Sequence, residues 1–518
     1  MEFPLSKPLN TPINRTYLLF GFILLKFVLT YALIHPVYDL QRDEYLHLDQ
    51  ANHLAWGYTS VPPFTSWVSW LIKALGNAVF WVKFFPALFG AITTVLVWKI
   101  IETLKGGIFA LVLGAITVTF SVVSRVNILY QPNSFDVLSW TLMYFLLIKY
   151  IRTGAARWLW LLGLAFALGF LNKYNVLFLL LGTLPALLIT GQHKLLLKRD
   201  FYIGIGIALV LVLPNLIWQY QHEFPVIRHM KELSRTQLVN VRMSDYLIDQ
   251  LLYFAGSIYV LIAGLVSLLL FKPFKQYRFV FFSFLFTTLL FLYFRAKSYY
   301  AIGLYPVLLA FGSAYLEKAL AKDWLIYLRP ICLLIPLLVF IPAVKEAFPV
   351  YTPERLEQTA VRRGKMHRWE DGKEYILQQD FADMLGWQEL ARKVDSVYAS
   401  IPDKRSLIVF CDNYGQAGAI NYYKKNKAYR ALSFNADYIN WYNSEPVKSI
   451  VRIKEFNVDP KRLEGEYALF KKVYLAGQID NKYAREYKTE IYILEQPKAD
   501  IRRFLDEERR ELLKPDGL

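Results

Sequence analysis

The chain has 518 residues, of which 55% are hydrophobic, 16% aromatic and only 19% charged, against roughly 25% charge in soluble domains. That excludes a disordered chain and an ordinary soluble enzyme, and the apolar residues run in unbroken blocks, as in a polytopic membrane protein. The net charge of +17 is unevenly placed: residues 1–344 hold 28 basic and 14 acidic residues and residues 345–518 hold 31 and 28, so the excess borders the apolar blocks and argues against a nucleic-acid partner.

Apolar runs bounded by charged or turn residues predict eleven membrane helices, near 16–34, 78–101, 108–124, 135–151, 157–171, 176–190, 201–218, 251–271, 278–294, 299–316 and 325–343. The runs flanking Asn172-Lys173 fit two spans or one broken helix. The first run ends in His35-Pro36 without a small-residue cleavage site, which predicts a retained anchor rather than a removed signal peptide. Lys and Arg are denser in the loops that are internal if the N-terminus is cytoplasmic, so the positive-inside rule puts the N-terminus inside and everything after Pro342 outside. The expected domains are therefore 1–344, a transmembrane unit whose first outer loop is 35–78, and 345–518, a soluble α/β unit. The latter has helical periodicity over Trp387 to Tyr398 and a β-rich run from Ser406 to Cys411, followed by a turn and helix. Cys332 and Cys411 offer neither a disulfide framework nor a metal cluster.

The first outer loop concentrates Asp39, Arg42, Asp43, Glu44, His47, Asp49 and His53. Leu48, Ala51 and Ala55 recur at helical spacing, which predicts a short helix from Glu44 to Trp56 lying on the membrane surface. Its carboxylates are suited to accepting protons or holding a cation, although solvation is the plain alternative for any one of them. Asp43 with His47 and Asp49 with His53 stand at i, i+4, a spacing open to a metal or to a surface hydrogen bond. A second acidic position, Asp136, lies at the outer end of the fourth run, as a functional group or as a partner of the helix dipole. Lys173, Arg295 and Lys297 are cations on the same outer face in very short loops, open to snorkelling or to binding phosphate. Lys26, inside the first run, either snorkels or faces the bundle interior. Tyr299, Tyr300 and Tyr305 are interface anchors or the wall of a sugar or prenyl pocket. In the tail, Gly415 and Gly418 follow a strand, which fits a phosphate-binding turn or a plain strand-turn-helix. Carboxylates and cations at one membrane face suit departure of a lipid phosphate while a carboxylate deprotonates an incoming group. The non-enzyme rivals are a lipid-linked oligosaccharide transporter and an envelope glycan-binding scaffold.

The stretches Arg42-Asp43-Glu44-Tyr45, His53-Leu54-Ala55-Trp56-Gly57-Tyr58 and Pro62-Pro63 resemble the first periplasmic loop of bacterial GT-C glycosyltransferases of family 39. This is the dolichyl-phosphate-mannose protein mannosyltransferase-like group, with the aminoarabinose lipid A transferases. Asn133-Ser134-Phe135-Asp136, Leu171-Asn172-Lys173-Tyr174, Pro214-Asn215-Leu216-Ile217-Trp218-Gln219 and Asp412-Asn413-Tyr414-Gly415-Gln416-Ala417-Gly418-Ala419 carry the resemblance over most of the chain. It implies a polytopic α-helical GT-C fold with a C-terminal periplasmic α/β domain in the inner (plasma) membrane. The implied reaction is inverting transfer from a polyprenyl-phosphate sugar to a lipid, protein or glycan acceptor. It also implies Asp43 as base, with Glu44 and Asp136 beside it as catalytic residues. Arg42, His53, Tyr58, Lys173, Arg295, Lys297, Tyr299 and Tyr300 are the expected substrate-binding residues. Some members of the family bind a divalent cation near the loop, so a metal stays open while no cofactor is certain.

Overall fold

A computed structural model of the chain describes residues 12–456 and 460–514. The first half is helical: α1 (Pro12–Ala32), α2 (Arg42–Asp49), α3 (Phe64–Ala74), α4 (Val79–Thr103), α5 (Ile108–Thr119), α6 (Val122–Val126), α7 (Pro132–Thr153) and α8 (Arg157–Asn172). It continues with α9 (Val176–Ile189), α10 (Arg199–Gln221), α11 (Pro225–Thr236), α12 (Met243–Leu252), α13 (Ile258–Leu270), α14 (Phe279–Tyr293), α15 (Tyr305–Ala319) and α16 (Arg329–Ala347). The predicted apolar runs coincide with α1, α4, α5, α7 to α10 and α13 to α16.

Among the described residues, six stretches are long and apolar enough to cross a membrane on their own. A seventh is the pair Met243–Leu252 and Ala255–Leu270, bent by 59°, and α5, α8, α9 and α14 are apolar but shorter. The break after Asn172 separates two helices with different neighbours, α8 packing on α7 and α10 and α9 packing on α14. Close packing follows from small residues. A Cβ on Gly163 would collide with the backbone of Gly204, and one on Gly312 with the backbone of Val260, so α8 meets α10 and α13 meets α15 nearly backbone to backbone. Large apolar side chains such as Leu209, Val210, Leu213, Leu334 and Leu338 face outward, as in a protein whose solvent is lipid. Lys26 does not snorkel: it is fully buried in the bundle and donates to Ser124 Oγ at 2.9 Å.

Beyond α16 the chain alternates helix and strand: α17 (Pro353–Arg363), β1 (His367–Arg368), β2 (Glu374–Tyr375), α18 (Gln379–Ala382), α19 (Trp387–Ser400), β3 (Leu407–Cys411) and α20 (Tyr414–Tyr423). Then come β4 (Ala431–Ser433), α21 (Tyr438–Trp441), β5 (Ser449–Lys454), α22 (Pro460–Ala468), β6 (Phe470–Gln478), β7 (Glu490–Pro497) and α23 (Ile501–Leu513). The five-stranded sheet runs β4-β3-β5-β7-β6, parallel where β3 meets β4 and β5 and antiparallel at β5–β7 and β7–β6. Strand β3 buries four of its five residues, the pattern of a central strand covered on both faces. One covering layer is α19, whose Trp387, Leu390, Ala391, Val394, Val397 and Tyr398 point inward at helical spacing.

The apolar core beneath this sheet is shared. Tyr45, Leu46 and Leu48 of α2 and Val68 and Ile72 of α3 belong to the same buried cluster as Trp387, Leu390, Val409 and Ile420. Helix α2 of the first loop is thus built into the core of the α/β unit, with Glu44 to Asp49 all buried, and is not an exposed surface helix. The predicted helix from Glu44 to Trp56 is also shorter than expected. It ends at Asp49, gives way to a 3-10 turn over Gln50–Asn52, and breaks at His53, whose φ of −139° and ψ of 54° are not helical.

Candidate functional site

The loops after α1, α5, α8 and α14 and the C-terminal part of α10 meet beneath the α/β unit. Asn172 Nδ2 donates to Pro132 O at 2.9 Å, and Asn175 Nδ2 to Tyr300 O at 3.2 Å. Asn215 Nδ2 reaches Trp56 O at 2.7 Å and receives the Tyr174 hydroxyl on its Oδ1 at 3.0 Å. The Pro214–Gln219 stretch therefore holds the first loop in position.

Within this junction α2 starts with a capping box. The Gln41 side chain accepts from Asp43 N at 2.8 Å, and Glu44 Oε2 accepts from Gln41 N at 2.6 Å. Glu44 is then fully committed, because Lys83 Nζ of α4 donates to its two oxygens at 2.7 and 2.9 Å and Tyr130 N donates to Oε1 at 2.6 Å. Both partners of this ion pair are buried. Expected as a catalytic neighbour of Asp43, Glu44 instead pins the start of α2 to α4 and to the segment before α7, with no lone pair aimed at open space.

Asp43 is placed differently. Its side chain is 35% exposed, the Tyr414 hydroxyl donates to Oδ1 at 2.6 Å, and Gln131 Nε2 donates to Oδ2 at 3.2 Å. Arg42 Nε stands 3.6 Å from Oδ1, and the Arg42 guanidinium lies 5.0 Å from the Tyr414 ring centroid. Burial pushes the Asp43 carboxyl up, but Arg42, the Tyr414 hydroxyl, His47 and Lys297 outweigh it and hold it below the ordinary carboxylate range. Asp43 is an ionised group that still reaches open space.

A hydrogen-bonded relay runs from it towards the membrane helices. Asn133 Nδ2 donates to Gln131 Oε1 at 3.0 Å, and Lys173 Nζ donates to Asn133 Oδ1 at 2.8 Å. Lys173 also sits 4.0 Å from the Tyr300 ring centroid and 5.4 Å from that of Tyr299. Asp136 adjoins this end. It is buried, takes Asn175 Nδ2 on Oδ2 at 2.8 Å, and among the described residues has no hydrogen-bond partner on Oδ1. Lys297 is held by Gln237 Oε1 at 2.7 Å and by Glu370 of the α/β unit. Arg295 is exposed, on a left-handed backbone with φ of 50°.

His53 and Tyr58 are not brought to Asp43. The His53 ring stacks on Trp441, centroids 4.3 Å apart, and burial beside Arg430 lowers its pKa to about 4, so it is neutral. The buried Tyr58 hydroxyl donates to His53 O at 3.0 Å and accepts from Ala55 N at 3.2 Å, closing the turn after α2. Tyr305 donates to Gln250 Oε1 at 2.9 Å within the helical core. The i, i+4 metal spacing is not used either. His47 Nδ1 lies 3.3 Å from Gln50 Oε1, and Asp49 receives Asn52, Asn421, Tyr438 and Arg430. Among the described residues no group of three or more His, Cys, Asp or Glu side chains gathers as a cation would need, so the residues present do not fit a protein-held divalent ion.

Several members of the site lie outside the set expected from sequence. Tyr414, Gln131 and Asn133 contact Asp43 or its relay, Glu370 holds Lys297, and Asp383 stands by Arg42. Asp383 is buried, has no hydrogen-bond partner on Oδ2 among the described residues, takes Arg485 NH1 on Oδ1 at 3.2 Å, and is pushed up to about 6 by burial. Tyr414 and Asn133 sit inside the stretches that carried the family resemblance, which was the available signal. The tail glycines have a packing role: a Cβ on Gly418 would come 2.8 Å from Tyr45 Cβ, and one on Gly415 would collide with the Arg42 stem. The turn at Asn413 is filled by its own capping box with Gln416, not shaped around a phosphate.

The fold, a helical bundle whose end loops meet an α/β cap, is of the GT-C type. Residues 60–218 match the family described as dolichyl-phosphate-mannose-protein mannosyltransferase. Over 207 residues the chain is 27% identical to the lipid A galacturonosyltransferase RgtD of Rhizobium johnstonii, a match spanning 38% of this chain and 43% of that relative. The whole architecture resembles ArnT from Cupriavidus metallidurans bound to undecaprenyl phosphate, with a TM-score of 0.60 and 10% identity over 93% of this chain and 98% of ArnT. The apo form of ArnT gives a TM-score of 0.58 at 10% identity over 92% and 97%. The chain thus has a GT-C-type fold similar to that of ArnT.

Proposed function

We propose that the protein transfers a sugar from a polyprenyl-phosphate donor to an acceptor at the periplasmic face of the inner membrane, with inversion at the anomeric carbon. The observation that carries this reading is Asp43, ionised and reaching open space, with Arg42, Lys297 and, through Gln131 and Asn133, Lys173 around it. Asp43 takes the proton of the acceptor hydroxyl or amine as that atom bonds to the anomeric carbon. The bond from that carbon to the phosphate oxygen breaks, and polyprenyl phosphate leaves with the electron pair towards the cations. Arg42, Lys173 and Lys297 bind the departing phosphate, Tyr299 and Tyr300 line the approach, and Asp136 orients Lys173. Arg295 serves as an outer guide for the donor.

The undecaprenyl phosphate bound to ArnT supports the donor class, and the match to a lipid A galacturonosyltransferase favours a lipid acceptor over protein or polysaccharide. The charge of the loops supports a cytoplasmic N-terminus and a periplasmic α/β unit over residues 345–518, with residues 1–344 holding donor and lipid. Asp43→Asn is expected to abolish the glycan product in membranes while expression is unchanged, and product at the normal rate removes Asp43 as base. Failure of the purified protein to release polyprenyl phosphate from every donor in a panel overturns the transferase reading in favour of a transporter or a glycan-binding scaffold.

A further inference from the structure

Helix α16 leads a lipid-facing stripe up to a basic cleft. Leu334, Leu338 and Ile341, at 54, 63 and 62% exposure, follow one another on one helix face, and the next residue on that face is Lys345, also exposed. There the chain turns into α17, and Lys345, Arg355, Arg362, Arg363, Lys365 and His367 line a single cleft in which Glu346 is the one acidic side chain. Glu346 is already committed, pairing with Arg363 at 2.6 Å and Lys365 at 2.9 Å. Among the described residues no carboxylate lies within ion-pair distance of Lys345, Arg355 or Arg362. Arg355 is steadied instead by Tyr351, its guanidinium 4.0 Å from the ring centroid. Val361 and Met366, 68 and 48% exposed, add apolar side chains at the same edge, as in segments that lie against a membrane surface.

We propose that this cleft seats the phosphate of an anionic lipid whose acyl chains lie along Leu334, Leu338 and Ile341. Two guanidinium groups and an ammonium without counter-charges suit the non-bridging, negatively charged oxygens of a lipid phosphate. The apolar stripe leading to them commits the site to a lipid-borne phosphate over a free one. None of the lining side chains bonds to Asp43, Arg42 or Lys297, so the site is independent of sugar transfer. Each basic group beside an anionic headgroup is worth about fivefold in affinity, so the three unpaired ones together are worth on the order of a hundredfold.

The test uses the full chain in detergent, titrated with dioleoyl phosphatidylglycerol, with dioleoyl phosphatidylcholine and with glycerol phosphate, and read by native mass spectrometry. The wild type is expected to retain phosphatidylglycerol about a hundredfold better than Lys345→Gln/Arg355→Gln/Arg362→Gln, with both proteins retaining phosphatidylcholine equally. All three positions are exposed, so the variant keeps its fold, and Arg355→Lys/Arg362→Lys is expected to restore most of the retention. Equal retention of phosphatidylglycerol by wild type and triple variant overturns the proposal. Glycerol phosphate displacing the lipid at equal concentration also does so, because the site is then one for free phosphate.

Discussion

A side chain that takes a proton from an incoming nucleophile has to be ionised before the nucleophile arrives, and it has to reach it. Asp43 satisfies both conditions through its neighbours, whereas Glu44, the adjacent carboxylate, has its lone pairs taken by Lys83, Gln41 N and Tyr130 N. The Tyr414 hydroxyl is the part of Asp43's environment that can be removed most cleanly. Tyr414→Phe keeps the ring beneath Arg42 and deletes one charge-assisted hydrogen bond, so the Asp43 pKa rises. The base form then fills at higher pH, and the acidic limb of kcat/KM is expected to move up by about one pH unit, with the fold intact. An unmoved limb in a pH-rate profile separates Asp43 from the ionisation that limits the reaction. In the sequence the local cluster of acids marked the first loop, and the family resemblance singled out Asp43 within it. Tyr414 lies 371 positions away, and no spacing rule brings it to the site.

Among the elements, the apolar helices were the most legible, since a bilayer demands continuous apolar length and leaves that demand written in the residues. Helix α2 was the least legible. Its polar sequence reads as a surface helix, yet Glu44 to Asp49 are all buried, because α3, Lys83 of α4 and, from a distant part of the chain, α20 close over them. The contact depends on glycine. At Gly418 the nearest obstacles to a methyl group are Tyr45 Cβ at 2.8 Å, the Tyr438 hydroxyl at 3.0 Å and Tyr45 backbone carbon at 3.1 Å, and two of these three belong to the body of α2 and cannot swing away. Gly418→Ala is therefore expected to push α20 off α2 and to cost about 1–3 kcal/mol of stability by overpacking. Because Tyr414 rides on α20, activity is expected to fall about tenfold or more without any change to a group that touches substrate. Activity at the wild-type level in a properly folded Gly418→Ala protein, checked by thermal unfolding, separates α20 from the site.

At the scale of the molecule, the helical bundle and the α/β cap build the candidate site together, and charged pairs span the junction between them. Lys297 meets Glu370, Arg125 meets Asp380 at 2.7 Å, and Arg42 comes under the influence of Asp383. The sequence separates the two parts by composition, but it carries no sign that loop 35–78 belongs to the core of the second, since that membership is a long-range packing fact. Asp383 makes the junction sensitive to pH. Burial lifts its carboxyl from an ordinary 3.8 to about 6 despite Arg42 and Arg485. Between those values the folded protein holds a proton that the unfolded chain has released, so stability falls as pH rises through this window and levels off above about 6. A shift of two units corresponds to about 2–3 kcal/mol. Asp383→Asn, neutral at every pH, removes this contribution and leaves the other titrations in place. Wild type and Asp383→Asn are thus expected to diverge by about 2–3 kcal/mol between pH 4 and pH 7 in chemical denaturation, the variant gaining relative to the wild type as pH rises. Parallel stability profiles mean that Asp383 titrates alike in folded and unfolded chains, and the pH response of the junction then belongs to another of its carboxylates.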